Sequence, residues 1–207
     1  MKNTLLSAID EAILAAQTLK EPQAISFMQA VAEEMVTCFQ NGGKLLIAGN
    51  GGSLCDSMHF AEELTGQFRK KRKALPAIAF SDPGHLTCVS NDMGFEEVFV
   101  RNVEAFGREG DIFIALTTSG NSPNLVRAFQ KAKELQLKTV AFLGKQGGTL
   151  LGQCDHEWLV QGFKTSDRIQ EAHMAAIHII IEQVERKLFS SLYEVEKVHE
   201  KMAKLSV

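Results

Sequence analysis

The stretch GNGGSLCDSMHFAEELTG, positions 49–66, sets a glycine-rich turn directly before a helical pattern carrying His59, Glu62 and Glu63. His59 and Glu63 are four apart, so on a helix an imidazole and a carboxylate share one face. That pair is suited to moving a proton or to holding a metal ion. Such pairs are usually surface ion pairs, but this one lies just beyond a turn, Gly49 to Ser53, whose backbone N–H groups can converge on an anion. The turn is neither of the common nucleotide loops. No Gly-Lys-Ser/Thr ending follows, and Leu54 occupies the place of the third glycine of a dinucleotide fingerprint.

A second polar turn, Thr117-Thr118-Ser119-Gly120-Asn121-Ser122, closes an apolar run and leads into Pro123, a favoured first helical residue, with Ser122 at the N-cap. A cap needs one hydroxyl, and this turn supplies four, at Thr117, Thr118, Ser119 and Ser122. That surplus at a helix N-terminus fits phosphate oxygens. Further titratable groups, Asp167, Arg168, Glu171, His173 and His178, lie with Gln170 on a long pattern from 167 to 189. A histidine in an isoleucine-rich run, as at His178, is ordinarily a satisfied core residue unless a polar cavity faces it. Gln170 and His178 stand about 12 Å apart along one regular helix, at roughly 1.5 Å per residue. They can share a metal only if the first turn is irregular or the site is assembled from different subunits.

The elements that must position these residues follow from the hydrophobic period. Two helices fill the first forty residues, the second starting at Pro22 and ending at Asn41-Gly42-Gly43. Short apolar runs at 44–49, 76–80, 111–117, 138–144 and 156–160 then alternate with helical patterns at 53–66, 84–106 with a break at Gly94, 122–135, 147–152 and 167–189. Continuous apolar strands between helices imply a parallel sheet covered on both faces. Around the polar pair, Met58, Phe60, Ala61 and Leu64 are the expected apolar contacts. The 167–189 helix is apolar nearly all round, and in a chain this short its expected cover is another subunit. The charged segment LYEVEKVHEKMAKL, at 192–205, reads as an exposed or interface helix.

The 207 residues, 45% of them hydrophobic, can bury one sizeable core, and a net charge of −3 argues against general nucleic-acid binding. The run RKKRK at 69–73 reads as a solvated loop, with steering of an anionic substrate as the alternative. Cys38, Cys55, Cys88 and Cys154 form no metal knuckle and read as reduced thiols, which places the chain in the cytoplasm. No leader pattern opens the chain and no apolar run is long enough to span a bilayer.

Together, GNGGSLCDSMHFAEELTG, SDPGHLTCVSNDMGFEEVF, GREGDIFIALTTSGNSPNLV and DRIQEAHMAAIH resemble the phosphoheptose isomerases, a branch of the sugar isomerase (SIS) domain proteins, from about Gln40 to Leu188. The resemblance implies a three-layer α/β/α, flavodoxin-like fold with a five-stranded parallel sheet: N-terminal helices at 1–40, a SIS domain at 41–190 and a helical tail at 191–207. It implies a homotetramer with active sites between subunits. The implied activity converts sedoheptulose 7-phosphate to D-glycero-D-manno-heptose 7-phosphate, the start of bacterial heptose synthesis for lipopolysaccharide core or activated heptoses. Carried over by position, Glu63 is the base and His178 the acid. Asn50 to Ser53 and Thr117 to Ser122 hold substrate, the latter loop chiefly its phosphate, with Asn91, Asp92 and Gln170 on sugar hydroxyls. His59, Glu63, Gln170 and His178 match positions that hold zinc in some members, one ion per subunit. The chain departs from the pattern at Leu54, where a polar residue is frequent, and at Gln67, where arginine is. Rival readings are a non-enzymatic SIS protein that binds the replication initiator, whose members lack the equivalents of Glu63 and His178, and a sugar-phosphate sensor, which usually carries a DNA-binding appendage. An NAD-dependent enzyme, with Asp82 as the ribose acid, is the weakest.

Overall fold

The computed structural model describes residues 1–194. Helices α1 (Lys2–Gln17) and α2 (Pro22–Gln40) precede an alternating series: β1 (Leu45–Gly49), α3 (Gly52–Thr65), β2 (Ala77–Ala79), α4 (Pro83–Asp92), α5 (Val98–Phe106), β3 (Ile112–Thr117), α6 (Pro123–Glu134), β4 (Lys138–Gly144), β5 (His156–Val160) and α7 (Ser166–Leu188). Prolines open α2, α4 and α6, where the missing N–H loses no helical bond. The strands form one all-parallel sheet in the order β2-β1-β3-β4-β5. This is the flavodoxin-like arrangement, in which the order reverses between β1 and β3 and a crevice opens beyond their carboxyl ends. Both polar turns leave those two strands at that end.

Strand side chains alternate between two cores. Leu45, Ile47, Ile112, Ile114, Val140, Phe142, Trp158 and Val160 pack under α2, α3 and α7, whereas Leu46, Ala48, Phe113, Ala115, Ala141 and Leu143 pack against α4, α5 and α6. Each fully buried large aliphatic or aromatic group contributes about 1.5–3 kcal/mol, which is why the continuous apolar runs settle as central strands. At the opposite end of the sheet, Asp111 accepts from the Lys44 backbone N–H (2.9 Å) and pairs with its Nζ, fixing β3 beside β1.

Three expectations need correction. The 147–152 pattern forms only a single 3-10 turn, Gly148–Leu150, because Gly147, Gly148 and Gly152 all take positive φ. The cover of α7 comes mainly from this chain's own α1, α2 and α3, which return onto it, leaving Ile179 partly exposed on its outer face. Met58 is not packed beside the polar pair but points to solvent, 48% exposed, while Phe60, Ala61 and Leu64 are buried as expected. Residues 190–194 are helical and the rest of the 191–207 segment lies outside the described residues.

His173 is the buried polar group of the α7–sheet interface. Its Nε2–H donates to the Leu143 carbonyl (2.9 Å), its ring meets Phe142 and Trp158, and among the described residues Nδ1 has no partner. Protonating Nδ1 would place an unpaired charge in the core, so burial pushes the imidazole down to about 4 against the help of that one hydrogen bond. Because the folded value lies below the unfolded one, the neutral ring's contribution to stability is fully present above about pH 6.5 and is lost as pH falls toward 4. Melting temperature should therefore drop across pH 6.5 to 4, and His173→Gln should flatten that part of the profile; an identical slope in the variant would remove His173 as its source.

Candidate active site

Beyond the carboxyl ends of β1 and β3 the two polar turns face each other. The first turn opens α3: Gly51 takes φ +58°, and an added Cβ at Gly52 would sit 2.7 Å from the Gln170 amide. Ser53 and Leu54 N–H bond back to the Asn50 and Gly51 carbonyls, and among the described residues the Gly51 and Gly52 N–H groups have no backbone partner. Gln170 reaches across from α7 to donate to Ser53 Oγ (3.2 Å). Paired amide bonds between Asn50 and Asn124, each 3.0 Å, tie this turn to the start of α6.

In the second turn, Thr117 Oγ1 accepts from Gly120 N–H and Ser119 Oγ from Asn121 N–H, so both hydroxyls keep their protons to donate. Thr118 Oγ1 lies 3.0 Å from Ser166 Oγ at the start of α7. Ser122 stands at the N-cap of α6, yet its side chain makes no capping bond. Asn50, Ser53, Thr117, Thr118, Ser119, Ser122, Ser166 and Gln170 line a cavity of about 150 Å³. A hydroxyl-lined cavity of this size suits a small anion such as phosphate. A wider cleft of about 550 Å³, sharing Gln170, is lined by Asp56, Asp167, Glu171 and His178.

His178, on the wall of that cleft, belongs to a cluster of titratable groups. His59 Nε2 lies 3.2 Å from Glu63 Oε1, the His59 and His178 rings are 5.1 Å apart, and one ligand atom from each of His59, Glu63 and His178 falls within 4.8 Å of the others. Two imidazole nitrogens and a carboxylate oxygen are a donor set for a divalent metal. Burial, with lesser pushes from His59 and Arg69, lowers His178 below the ordinary imidazole range, and Glu63 opposes this. Phe68 stacks on the other face of His178 at 5.8 Å. One turn before His59, burial raises Asp56 to about 6, with His59 opposing, and its Oδ2 has no partner among the described residues.

The sequence-predicted residues thus fall into groups. Asn50, Ser53, Thr117, Thr118, Ser119, Ser122 and Gln170 line one cavity, Gly51 and Gly52 lie in the turn beside it without lining it, and His59, Glu63 and His178 form one triad. Gln170 lies inside a regular α7 that begins at Ser166, and its amide is turned to Ser53. Asn91 and Asp92 sit exposed at the end of α4, bonded to each other (2.7 Å), and line neither cleft. Ser166, Asn124 and Asp56 carried no motif of their own in the sequence. The solvated reading of RKKRK needs correction at one residue: the Arg72 side chain is fully buried, with Nε 2.7 Å from the equally buried Glu185.

The SIS domain family model matches residues 10–144. A phosphoheptose isomerase of Fusobacterium nucleatum is 52% identical over 94% of this chain and all of its own length, and that of Vibrio cholerae 49% over 82% of this chain and 89% of its own. Solved structures of phosphoheptose isomerases from Francisella tularensis (TM-score 0.84, 33% identity, 89% of this chain and 97% of that one) and Neisseria gonorrhoeae (0.81, 34%, 89% and 98%) are similar to the whole fold.

The uncommitted Ser122 hydroxyl separates a cap from a ligand contact. A hydrogen bond to a charged group is worth roughly 1.5–3 kcal/mol, so Ser122→Ala should weaken inorganic phosphate binding by about tenfold or more while leaving the melting temperature unchanged. A lowered melting temperature with unchanged phosphate affinity would return Ser122 to a capping role.

Proposed function

This chain belongs to the phosphoheptose isomerases of the SIS domain family, and we propose that it interconverts sedoheptulose 7-phosphate and D-glycero-D-manno-heptose 7-phosphate. The observation that carries the reading is the clustering of Glu63 with His178, a residue that lines a sugar-sized cleft adjoining a phosphate-sized cavity, with Gln170 on both. It also separates the chain from SIS proteins that bind the replication initiator, which lack that carboxylate and histidine.

In the proposed mechanism the hydroxyl-rich turn and the N–H groups of Gly51 and Gly52 grip the phosphate, a grip remote from the reacting carbons that orients them. Glu63 takes a proton from C1 of the ketose, the electron pair forms the C1–C2 double bond and the C2 carbonyl pair moves to O2, giving an enediolate. His178 moves the O1 hydroxyl proton to O2. Glu63 then delivers its proton to C2, leaving the aldehyde at C1 and a hydroxyl at C2, so atoms and charges balance. Gln170 is assigned to a sugar hydroxyl; Asn91 and Asp92, which line neither cleft of their own chain, would reach the sugar only from a neighbouring subunit of the proposed tetramer.

For the metal, His59, Glu63 and His178 fit zinc by donor type and spacing. When bound, zinc would polarise the substrate's oxygens as a Lewis acid. Gln170 stands about 12 Å from His178 along α7 at roughly 1.5 Å per residue, so its use as a fourth ligand draws on a neighbouring subunit. A homotetramer with sites between subunits is the arrangement we propose. It is supported by α1, where Leu5, Leu6, Ile9, Ile13 and Leu14 are each 51–59% exposed on a helix that otherwise packs on α7. Among the described residues no helix is long and apolar enough to cross a membrane, and all four cysteines are free, which suits the cytoplasmic setting we assign.

Purified protein should isomerise sedoheptulose 7-phosphate, and Glu63→Gln and His178→Gln should each lower kcat by roughly a hundredfold or more with the tetramer intact by sedimentation. Parent-like turnover in either variant would remove that residue from the chemistry. Elemental analysis should find about one zinc per subunit, lost on chelation and depleted in His59→Ala; metal-free preparations with full activity would retire the ion.

A further inference from the structure

Glu63 is the third-last residue of α3, where carbonyls run out of helical partners. Gly66 N–H takes the Glu62 carbonyl (2.7 Å), but the Glu63 carbonyl is held by a side chain: Arg72 Nη2 donates to it at 2.7 Å, and Nη1 donates to the Leu64 carbonyl at 2.7 Å. The third edge of the same guanidinium turns to α7, where Nε donates to Glu185 Oε1 (2.7 Å), and the other Glu185 oxygen accepts from Tyr193 Oη–H (2.6 Å). Both charged side chains are fully buried.

Glu185 is seven residues after His178, two turns on, and therefore on the same face of α7. The guanidinium thus bridges the residue that carries the proposed base to the helix face that carries the proposed acid. Stability alone does not call for this, since removing two charges from water is costly and a well-packed apolar pair often does as well. What an apolar pair lacks is direction. Arginine's rigid fork supplies several donors at fixed angles, which lysine cannot reproduce.

Resting on the reading of Glu63 and His178 as the proton-moving pair, we propose that Arg72 is a positioning residue of the isomerase reaction. Bonded to the Glu63 carbonyl on one side and to Glu185 on the other, it fixes the separation between the Glu63 carboxylate and the His178 imidazole. Its site is also where the basic run 69–73 finds a purpose beyond solvation.

The test uses the full chain, steady-state kinetics on sedoheptulose 7-phosphate and thermal melting. The double variant Arg72→Met/Glu185→Met removes both buried charges while keeping volume. It should melt close to the parent, with kcat down roughly tenfold to a hundredfold and KM within about twofold. Arg72→Lys keeps a charge but loses the fork, and should show the same split between kcat and KM; if the double variant does not fold, this one decides. Parent-level kcat in a normally melting double variant, or in Arg72→Lys, overturns the positioning role. A parent chain that does not turn over this sugar phosphate overturns the isomerase reading and the proposal together, whereas an active parent with active variants overturns the proposal alone.

Discussion

Helices α3 and α7 leave different strands, β1 and β5, and the chemistry depends on their meeting over one face of the sheet. His59 and Glu63 come from the first, His178 and Gln170 from the second, and neither helix alone holds the proposed base, acid and substrate contact. The meeting is fixed at two levels. Apolar packing of Phe60, Ala61 and Leu64 with Ile177, Ile181 and Val184 brings the helices together without directional preference. The Arg72–Glu185 pair then fixes angle and register, because its hydrogen bonds tolerate little displacement.

Strand order divides the labour. Reversal between β1 and β3 places two helix N-termini side by side, so the proposed phosphate site is made of N–H groups and hydroxyls in place of lysine or arginine. A neutral grip of this kind holds a dianion through many oriented dipoles. In the proposed reading the reacting carbons lie in the wider cleft, which His178 lines and beside which its ring meets that of His59. Phe68 closes one side of His178 and limits how its ring can turn.

Most of the sheet was legible in the sequence, because parallel strands buried on both faces leave continuous apolar runs such as LLIAG and IFIALT that no helix period explains. The two turns were legible through glycine and hydroxyl excess, and His59 with Glu63 through helical spacing. Residues whose roles arise only across the fold were not. Arg72 looks like one of five solvated charges until its partner, 113 positions away, is known. Ser166 reads as an ordinary helix start, and Asp56 as an ordinary polar position. The cover of α7 was misjudged because nothing in its composition distinguishes the chain's own α1 and α2 from a second copy. The 147–152 pattern failed for a local reason, as three glycines at positive φ outweigh a short apolar period.

The central claim is that a proton leaves C1, rests on a carboxylate and arrives at C2. Isomerisation of sedoheptulose 7-phosphate carried to equilibrium in D2O, with the heptose product read by NMR, tests this most directly. Deuterium at C2 is the predicted result, since a proton held by Glu63 beside an open cleft exchanges with solvent between removal and delivery. Product carrying only protium at C2 would mean that hydride passes directly from carbon to carbon, and would contradict the account.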